Sequence, residues 1–208
     1  AGFLVGLSLI SYGCMIGMPG KSFSGPLPQL TEPQRTLADR MRMDLNHLAV
    51  DIGERNISQF YEALTDSAEW IAAELEDAGY DTVERQRFVC NDKEVTNLSV
   101  EIRGATAPDE IVIIGAHYDS VIFCPAANDN GSGVVALLAL ARTFAGREPP
   151  ARTLRFVAFV NEEPPYFQTP QMGSWVYAKA CKARGDNIVA MLSLETIGYY
   201  SDSPGSQH

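Results

Sequence analysis

Short runs of apolar residues alternate with amphipathic helices along much of this chain, and this alternation restricts the possible folds. Ile111–Gly115 is a short, continuously apolar run, which is typical of a strand buried on both faces. Leu154–Val160 and Ile188–Leu194 are largely apolar and are predicted to be two further strands. Helices are predicted over Gly133–Phe144 and Ser174–Ala183. Because parallel strands need long crossover connections, this order predicts an α/β domain with three layers, α/β/α, around a mixed and largely parallel central sheet.

The preceding part of the chain predicts two helices and two strands. Apolar residues recur at spacings of three and four from about Glu32 to Gly53 and from about Ser58 to Ala78, which indicates amphipathic helices. Thr82–Val89 and Val95–Arg103 alternate in polarity and are joined by a polar turn, so both are predicted to be strands.

Composition excludes some classes of partner. The 208 residues are 46% apolar and 20% charged, which suits one sizeable globular domain with a core. The net charge is −10, from 26 acidic and 16 basic residues. The sequence has no run of basic residues that could bind along the phosphate backbone of a nucleic acid, so no nucleic-acid partner is expected. The oligomeric state is left open.

The first 20 residues are uncharged and apolar, which predicts a signal-anchor or export segment. The alternative is an apolar helix packed on the core, although Gly2, Gly6, Gly13 and Gly17 disfavour a soluble helix. Residues 21–33 read as a Pro/Gly linker, and residues 34–208 as the folded domain. We therefore expect an exported protein, periplasmic or extracellular, with possible membrane anchoring through residues 1–20.

Four cysteines lack the CxxC spacing of a cysteine zinc site. In an exported domain Cys90 and Cys124 could form a disulfide, although two free thiols are the stronger expectation.

Side chains that bind metals occur where predicted strands end. His117 follows the first apolar run, Glu162 and Glu163 follow the second, Glu195 follows the third, and Asp129 lies in the turn before a helix. In open α/β sheets ligands bind beyond the carboxyl ends of strands, and neighbouring strands are about 4.8 Å apart, so these side chains are expected to converge. An imidazole combined with carboxylates suits zinc.

Each of these signals is weak by itself, because single histidines and paired acids are common in cores and on surfaces. Their order on successive strand ends, with the glycine-containing turn Ala127–Gly133 between them, favours a catalytic metal centre. Asp119, two residues after His117, is expected to accept the other ring N–H and so fix the tautomer. We therefore count Asp119 among the catalytic residues.

Four motifs resemble those of the di-zinc aminopeptidases, a family that also includes glutamate carboxypeptidase II and glutaminyl cyclase. They are Gly115–Ser120, Ala127–Gly133, Asn161–Glu163 and Ser193–Gly198, within a resemblance that extends from about Arg55 to Asp202. The resemblance implies a zinc-exopeptidase-like fold and an aminopeptidase of the bacterial type, which hydrolyses N-terminal bonds of peptide substrates.

The resemblance also implies roles for individual residues. Asp129 would bridge two zinc ions, His117 and Glu195 would complete one, and Glu163 would bind the other. Glu162 would be the general base that accepts a proton from a metal-activated water.

Two features depart from the family pattern. The family usually has Asp where this chain has Glu195, and the longer side chain changes where its zinc would sit. The family's last ligand is a histidine well beyond this position, whereas only His208 follows here, at a spacing that looks too short; His47 lies on a predicted N-terminal helix. We therefore expect a sheet that is incomplete at its C-terminal end and a missing part that carries the last ligand.

Two alternatives stay open. The first is an acyltransferase like glutaminyl cyclase on the same fold, which would use one zinc to cyclise an N-terminal glutamine. The second is a non-catalytic, receptor-type member, although such proteins typically lose ligands. Serine catalysis is disfavoured because the sequence has no Gly-x-Ser-x-Gly elbow.

Overall fold

A mixed sheet of five strands forms the centre of the structure, a computed structural model that describes residues 25–201. The strands are β1 (Glu84–Cys90), β2 (Lys93–Ile102), β3 (Ala107–His117), β4 (Arg152–Phe159) and β5 (Asn187–Ser193). They lie in the order β1-β2-β4-β3-β5.

The parallel part of this sheet positions the polar strand ends. β3 pairs in parallel with β4 and β5, whereas β2 pairs antiparallel with β1 and β4. His117 at the end of β3 lies opposite Phe159 at the end of β4. The residues after β3, β4 and β5 therefore emerge at one edge, as the sequence predicts. β3 is longer than the predicted 111–115 because its polar start also pairs, through Ala107 with Arg152.

Four helices flank the sheet, and two short π-helical turns adjoin them. The helices are α1 (Glu32–Asn46), α2 (Tyr61–Asp77), α3 (Gly133–Phe144) and α4 (Gly173–Arg184), and the π-turns are His47–Ile52 and Ala127–Ser132. The first predicted helix is thus an α-helix that continues as a π-turn. The second begins at Tyr61 rather than Ser58 because the Asn56 side chain accepts the Gln59 N–H at 2.9 Å, which makes a separate turn.

Alternating side chains of the central strands face two helical layers. Phe156 and Ala158 of β4 belong to the core cluster that contains residues of α2 and α3. Val157 and Phe159 belong to a second cluster with Tyr177 of α4. Each large apolar side chain buried in this way contributes about 1.5–3 kcal/mol. The two clusters on opposite faces confirm the three-layer α/β/α fold.

β5 differs from the other strands, because all seven of its residues are exposed although it pairs with β3. The strand predicted over Ile188–Leu194 is therefore confirmed by its pairing, and it is exposed among the described residues.

The remaining predictions concern the N-terminus and the cysteines. Residues 33–201 belong to one compact unit, whereas the predicted apolar segment 1–20 and residues 21–24 of the linker lie outside the described residues. Between residues 25 and 201, no helix has the length and apolar character to cross a bilayer. Cys90 and Cys124 are free thiols, so they do not form a disulfide with each other. Cys90 is buried at the end of β1, while the Cys124 sulfur accepts the Ala126 N–H at 3.3 Å.

Candidate metal centre

His117 is the centre of the cluster at this sheet edge. It is the last residue of β3, and its side chain is only 2% exposed. Its Nε2 lies 3.2 Å from Asp129 Oδ1, 3.4 Å from Glu195 Oε1 and 3.6 Å from Glu162 Oε2. Three predicted acids, from three separate segments, therefore surround one nitrogen.

Asp119 lies on the other side of the imidazole. Its Oδ1 is 3.4 Å from His117 Nδ1, which is a close electrostatic contact but too long and poorly aligned for a hydrogen bond. The carboxylate instead accepts the backbone N–H of Glu162 and of Glu163, each at 3.0 Å. Asp119 thus fixes the loop after β4, a function that sequence reasoning did not foresee.

Asp129 is presented by the π-turn before α3. The Gly131 N–H donates to Ala126 O at 2.9 Å, and the peptide bond between Asp129 and Asn130 is cis. The Asp129 side chain contacts the imidazole through Oδ1 and is 55% exposed. This position between His117 and solvent suits a ligand shared by two ions.

Asn130 connects the π-turn with the end of β5. Its Nδ2 donates to Leu194 O at 2.8 Å and to Glu195 Oε2 at 3.3 Å. Its Oδ1 accepts the Gly133 N–H at 3.1 Å and the Thr196 N–H at 3.3 Å. Asn130 is fully buried and therefore holds Glu195 toward His117.

Glu162 and Glu163 follow β4 after Asn161, whose backbone lies in the left-handed region at φ 57°. The Glu162 side chain is 30% exposed and faces His117. Glu163 Oε1 is buried without a hydrogen-bond partner among the described residues. A buried carboxylate oxygen without a donor is costly unless a cation or proton satisfies it.

The acids perturb one another because they are crowded into a partly buried space. Burial and then the Asp129 charge raise the pKa of Glu163 to about 7. Burial is also the main cause that raises the pKa of Glu162. Burial alone would lower the pKa of His117, but the Asp119 and Glu195 carboxylates outweigh it and raise that pKa to about 11. This surplus of negative charge around one imidazole is what a divalent cation would balance.

The donor atoms fit a metal in two overlapping sets. His117 with Asp129 and Glu195, and His117 with Glu162 and Glu163, each place one ligand atom per residue within 4.8 Å of one another. The structure thus brings together all five side chains predicted to converge. By distance alone Glu162 is as suitable a ligand as Glu163, and both side chains are partly buried.

His47 lies apart from this cluster. It is on the π-turn after α1, where its Nδ1 is 3.2 Å from Asp51 and its ring packs at 5.2 Å from Trp70. His208 lies outside the described residues. Sequence reasoning missed the parts played by Asn130 and by the buried Arg55, since a polar residue in a loop carries no periodic signal.

Comparison with known proteins agrees with the geometry. A probable aminopeptidase of Saccharomyces cerevisiae, YDR415C, is 32% identical over 159 residues, which cover 69% of this chain and 41% of that protein. The first curated relatives are matched over only 41–43% of their length.

Solved structures share the fold at low sequence identity. A zinc aminopeptidase from Bacillus subtilis has a TM-score of 0.67 at 16% identity, covering 77% of this chain and 69% of that structure. A glutaminyl cyclase from an Acidobacteriales bacterium has a TM-score of 0.65 at 18% identity, covering 84% and 64%. These similarities confirm a zinc-exopeptidase-like fold. Residues 97–207, more than half of the chain, match peptidase family M28, and the chain therefore belongs to that family.

Proposed function

We propose that this protein is a zinc-dependent exopeptidase, an aminopeptidase that hydrolyses the N-terminal peptide bond of a peptide substrate. The observation that carries the proposal is the meeting of His117 Nε2 with three acids from separate segments within 3.2–3.6 Å. Membership of a peptidase family and the name of the yeast relative, a probable aminopeptidase, support the same conclusion.

The residues present would hold one zinc ion and supply part of the ligand set for a second. Asp129 would be shared by both ions, His117 and Glu195 would hold one, and Glu163 would hold the other together with the expected last ligand. The exposure of the Asp129 side chain supports its shared role, and the unpartnered Oε1 of Glu163 supports its role as a ligand. When bound, zinc would act as a Lewis acid that polarises the scissile carbonyl and makes water acidic enough to attack at neutral pH.

Glu162 is the general base in this proposal. Its side chain is partly exposed, so it reaches both water and substrate, and it lies 3.6 Å from His117 Nε2, at the centre of the cluster. It takes a proton from the attacking water and passes that proton to the leaving amine, which becomes the new N-terminus of the shortened peptide. Asp119 fixes the backbone of Glu162 and thereby the direction of this carboxylate.

Substitution of Glu162 by Gln tests the assignment. Loss of a general base costs about 10²- to 10⁴-fold in turnover, and we expect Glu162→Gln to show this loss with an unchanged zinc content. The measurements are hydrolysis of N-terminal residues from peptides and metal analysis of the same samples. If zinc is lost together with activity, Glu162 is a ligand and the assignment is wrong.

Similarity to a glutaminyl cyclase structure favours one second candidate, cyclisation of an N-terminal glutamine. That reaction would use a single zinc ion, and His117, Asp129 and Glu195 would supply its ligands. A peptide that begins with glutamine separates the two functions, since hydrolysis releases free glutamine whereas cyclisation releases ammonia. A receptor-type protein would do neither, and the presence of a complete cluster of acids around His117 disfavours it.

We also propose that residues 34–208 form the peptidase domain, and that residues 1–20 export it to the periplasm or extracellular space or anchor it there. The uncharged, apolar character of residues 1–20 supports this location. Protease accessibility of the domain in intact cells tests it, because an intracellular domain would be protected.

A further inference from the structure

Arg55 is the largest side chain that is fully buried in the described part of the molecule. Its guanidinium donates to backbone carbonyls in three segments of the chain. The acceptors are Tyr118 O at 2.6 Å, Pro125 O at 2.7 Å, Gly53 O at 2.9 Å, Ala126 O at 3.2 Å and Leu48 O at 3.5 Å. Burial lowers the pKa of Arg55 to about 10, so this cation is kept inside the protein at a cost.

Two of these segments carry residues of the candidate metal centre. Tyr118 lies between His117 and Asp119, so its carbonyl fixes the backbone from which both side chains project. Ala126 O also accepts the Gly131 N–H at 2.9 Å, which closes the turn that presents Asp129. The guanidinium therefore touches the supports of two predicted ligands without touching the ligands.

The backbone of Arg55 strengthens the same connection. Its N–H donates to Ser120 Oγ at 2.9 Å, and its carbonyl accepts the Ser120 N–H at 2.9 Å. Arg55 and the segment after β3 are thus joined by side-chain and backbone hydrogen bonds together. The Asp119 carboxylate is the group whose charge most opposes the lowering of the Arg55 pKa, so the cation is coupled to the negative charge of the centre.

We infer that Arg55 is a positioning residue for the metal centre, which sets the distance between the His117–Asp119 segment and the turn that carries Asp129. This inference rests on the proposed function. A planar guanidinium with five N–H donors meets carbonyls from three directions, whereas an ammonium has one nitrogen and three donors. Lysine would keep the charge and lose the geometry.

Substitution of Arg55 by Lys in the full chain tests the inference. Loss of a residue that orients metal ligands typically weakens metal affinity about 10- to 100-fold, and we expect a fall of this size for zinc. Zinc affinity is measured by competition with a chelator, at a temperature where circular dichroism shows the variant to be folded. The visible spectrum of the cobalt-substituted protein should change as well, because the ligand geometry is altered.

Arg142→Lys is the matched control. Arg142 is partly buried and binds Asp44 and Glu74, near the end of α3 that is remote from the Asp129 turn. The Arg142→Lys protein should be less stable than the wild type but should keep its zinc affinity and its cobalt spectrum. An Arg55→Lys protein that is folded and binds zinc as tightly as the wild type would overturn the inference.

Ser120→Ala keeps the test decisive if Arg55→Lys does not fold. It removes only the acceptor of the Arg55 N–H, and we expect a smaller fall in zinc affinity, about two- to tenfold. Unchanged affinity in that variant would then contradict the inference. If the wild-type protein itself binds no zinc, the proposed function fails instead, so the two failures are distinguishable.

Discussion

Two loops deliver acids to the candidate centre, and they are held by different chemistry. The loop after β4 carries Glu162 and Glu163, whose backbone N–H groups both donate to the buried carboxylate of Asp119. The loop after β5 carries Glu195, and the N–H groups that follow it donate to three neutral side chains. These acceptors are Asn130 for Thr196, Ser132 for Ile197 and Asn128 for Gly198.

The difference lies in charge and in burial. Asp119 is 3% exposed and influences the buried Arg55, so one charged group supports the whole loop after β4. The loop after β5 is held instead by three weaker hydrogen bonds, and it follows a strand whose residues are all exposed. Hydrogen bonds to charged groups are about twice as strong as neutral ones. We therefore expect the first loop to be rigid and sensitive to single substitutions, and the second to be softer and redundant.

The largest effect is expected for Asp119→Asn. The amide retains one acceptor oxygen, so one of the two loop N–H groups faces an NH₂ donor, and the buried Arg55 loses the stabilising charge of Asp119. The free energy of unfolding should fall by about 3–5 kcal/mol, as when one partner of a buried charge is removed. Denaturant unfolding measures this loss, and peptidase activity per folded molecule should fall about 100-fold.

Asp44→Asn is the control for that substitution. Asp44 is buried like Asp119, at 4% exposed, and it pairs with Arg40 at 2.9 Å and with Arg142. It should lose stability but retain activity per folded molecule. If both variants lose activity equally, the loop after β4 has no special dependence on Asp119.

Gly133→Ala should have the next largest effect, and it acts on the loop after β5. A Cβ atom at Gly133 would overlap Asn130 Oδ1 and the Leu194 carbonyl oxygen. The overlap separates Asn130 from Leu194, which are bonded at 2.8 Å, and displaces Glu195 with them. Overpacking of this kind costs about 1–3 kcal/mol, measured by thermal unfolding. A variant with the stability and zinc affinity of the wild type would show that this contact does not hold Glu195.

The strand ends were predictable from sequence, whereas the side chains that fix them were not. His117, Glu162 and Glu195 follow apolar runs, and parallel strands end at one edge, so their convergence follows from periodicity. Asp119 and Asn130 act on backbone groups 43 to 66 residues away, which no local pattern reveals. The exposure of β5 was not predictable for a related reason, since periodicity reports pairing and apolar character but not what covers a strand.

Removal of the metal should distinguish the loops by a smaller, local effect. Asp119 holds the loop after β4 with or without a cation, so the N–H groups of Glu162 and Glu163 should exchange at nearly unchanged rates after treatment with a chelator. Asn130 and the contact with His117 hold the Glu195 side chain, and the N–H groups of residues 196–198 donate to neutral side chains, so exchange at these residues should rise about tenfold. Hydrogen exchange measured by mass spectrometry checks this, and an equal rise in both loops would contradict the comparison.

The smallest effect is expected for Ser132→Ala. The variant loses the acceptor for the Ile197 N–H at 3.0 Å and the donor to Asn128 O at 2.7 Å, at a cost of about 1 kcal/mol in the free energy of unfolding. Asn130 and Asn128 still accept their own N–H groups, so zinc affinity should fall only a few-fold. Ser67→Ala is the control, because Ser67 is buried on α2 and donates to Ala63 O at 2.8 Å, away from the centre. Ser67→Ala should match the stability loss and leave zinc affinity unchanged. The proposed difference between the loops would be wrong if zinc affinity fell as much for Ser132→Ala as for Asp119→Asn. The three neutral hydrogen bonds of the loop after β5 would then be no more redundant than the single charged group that holds the loop after β4.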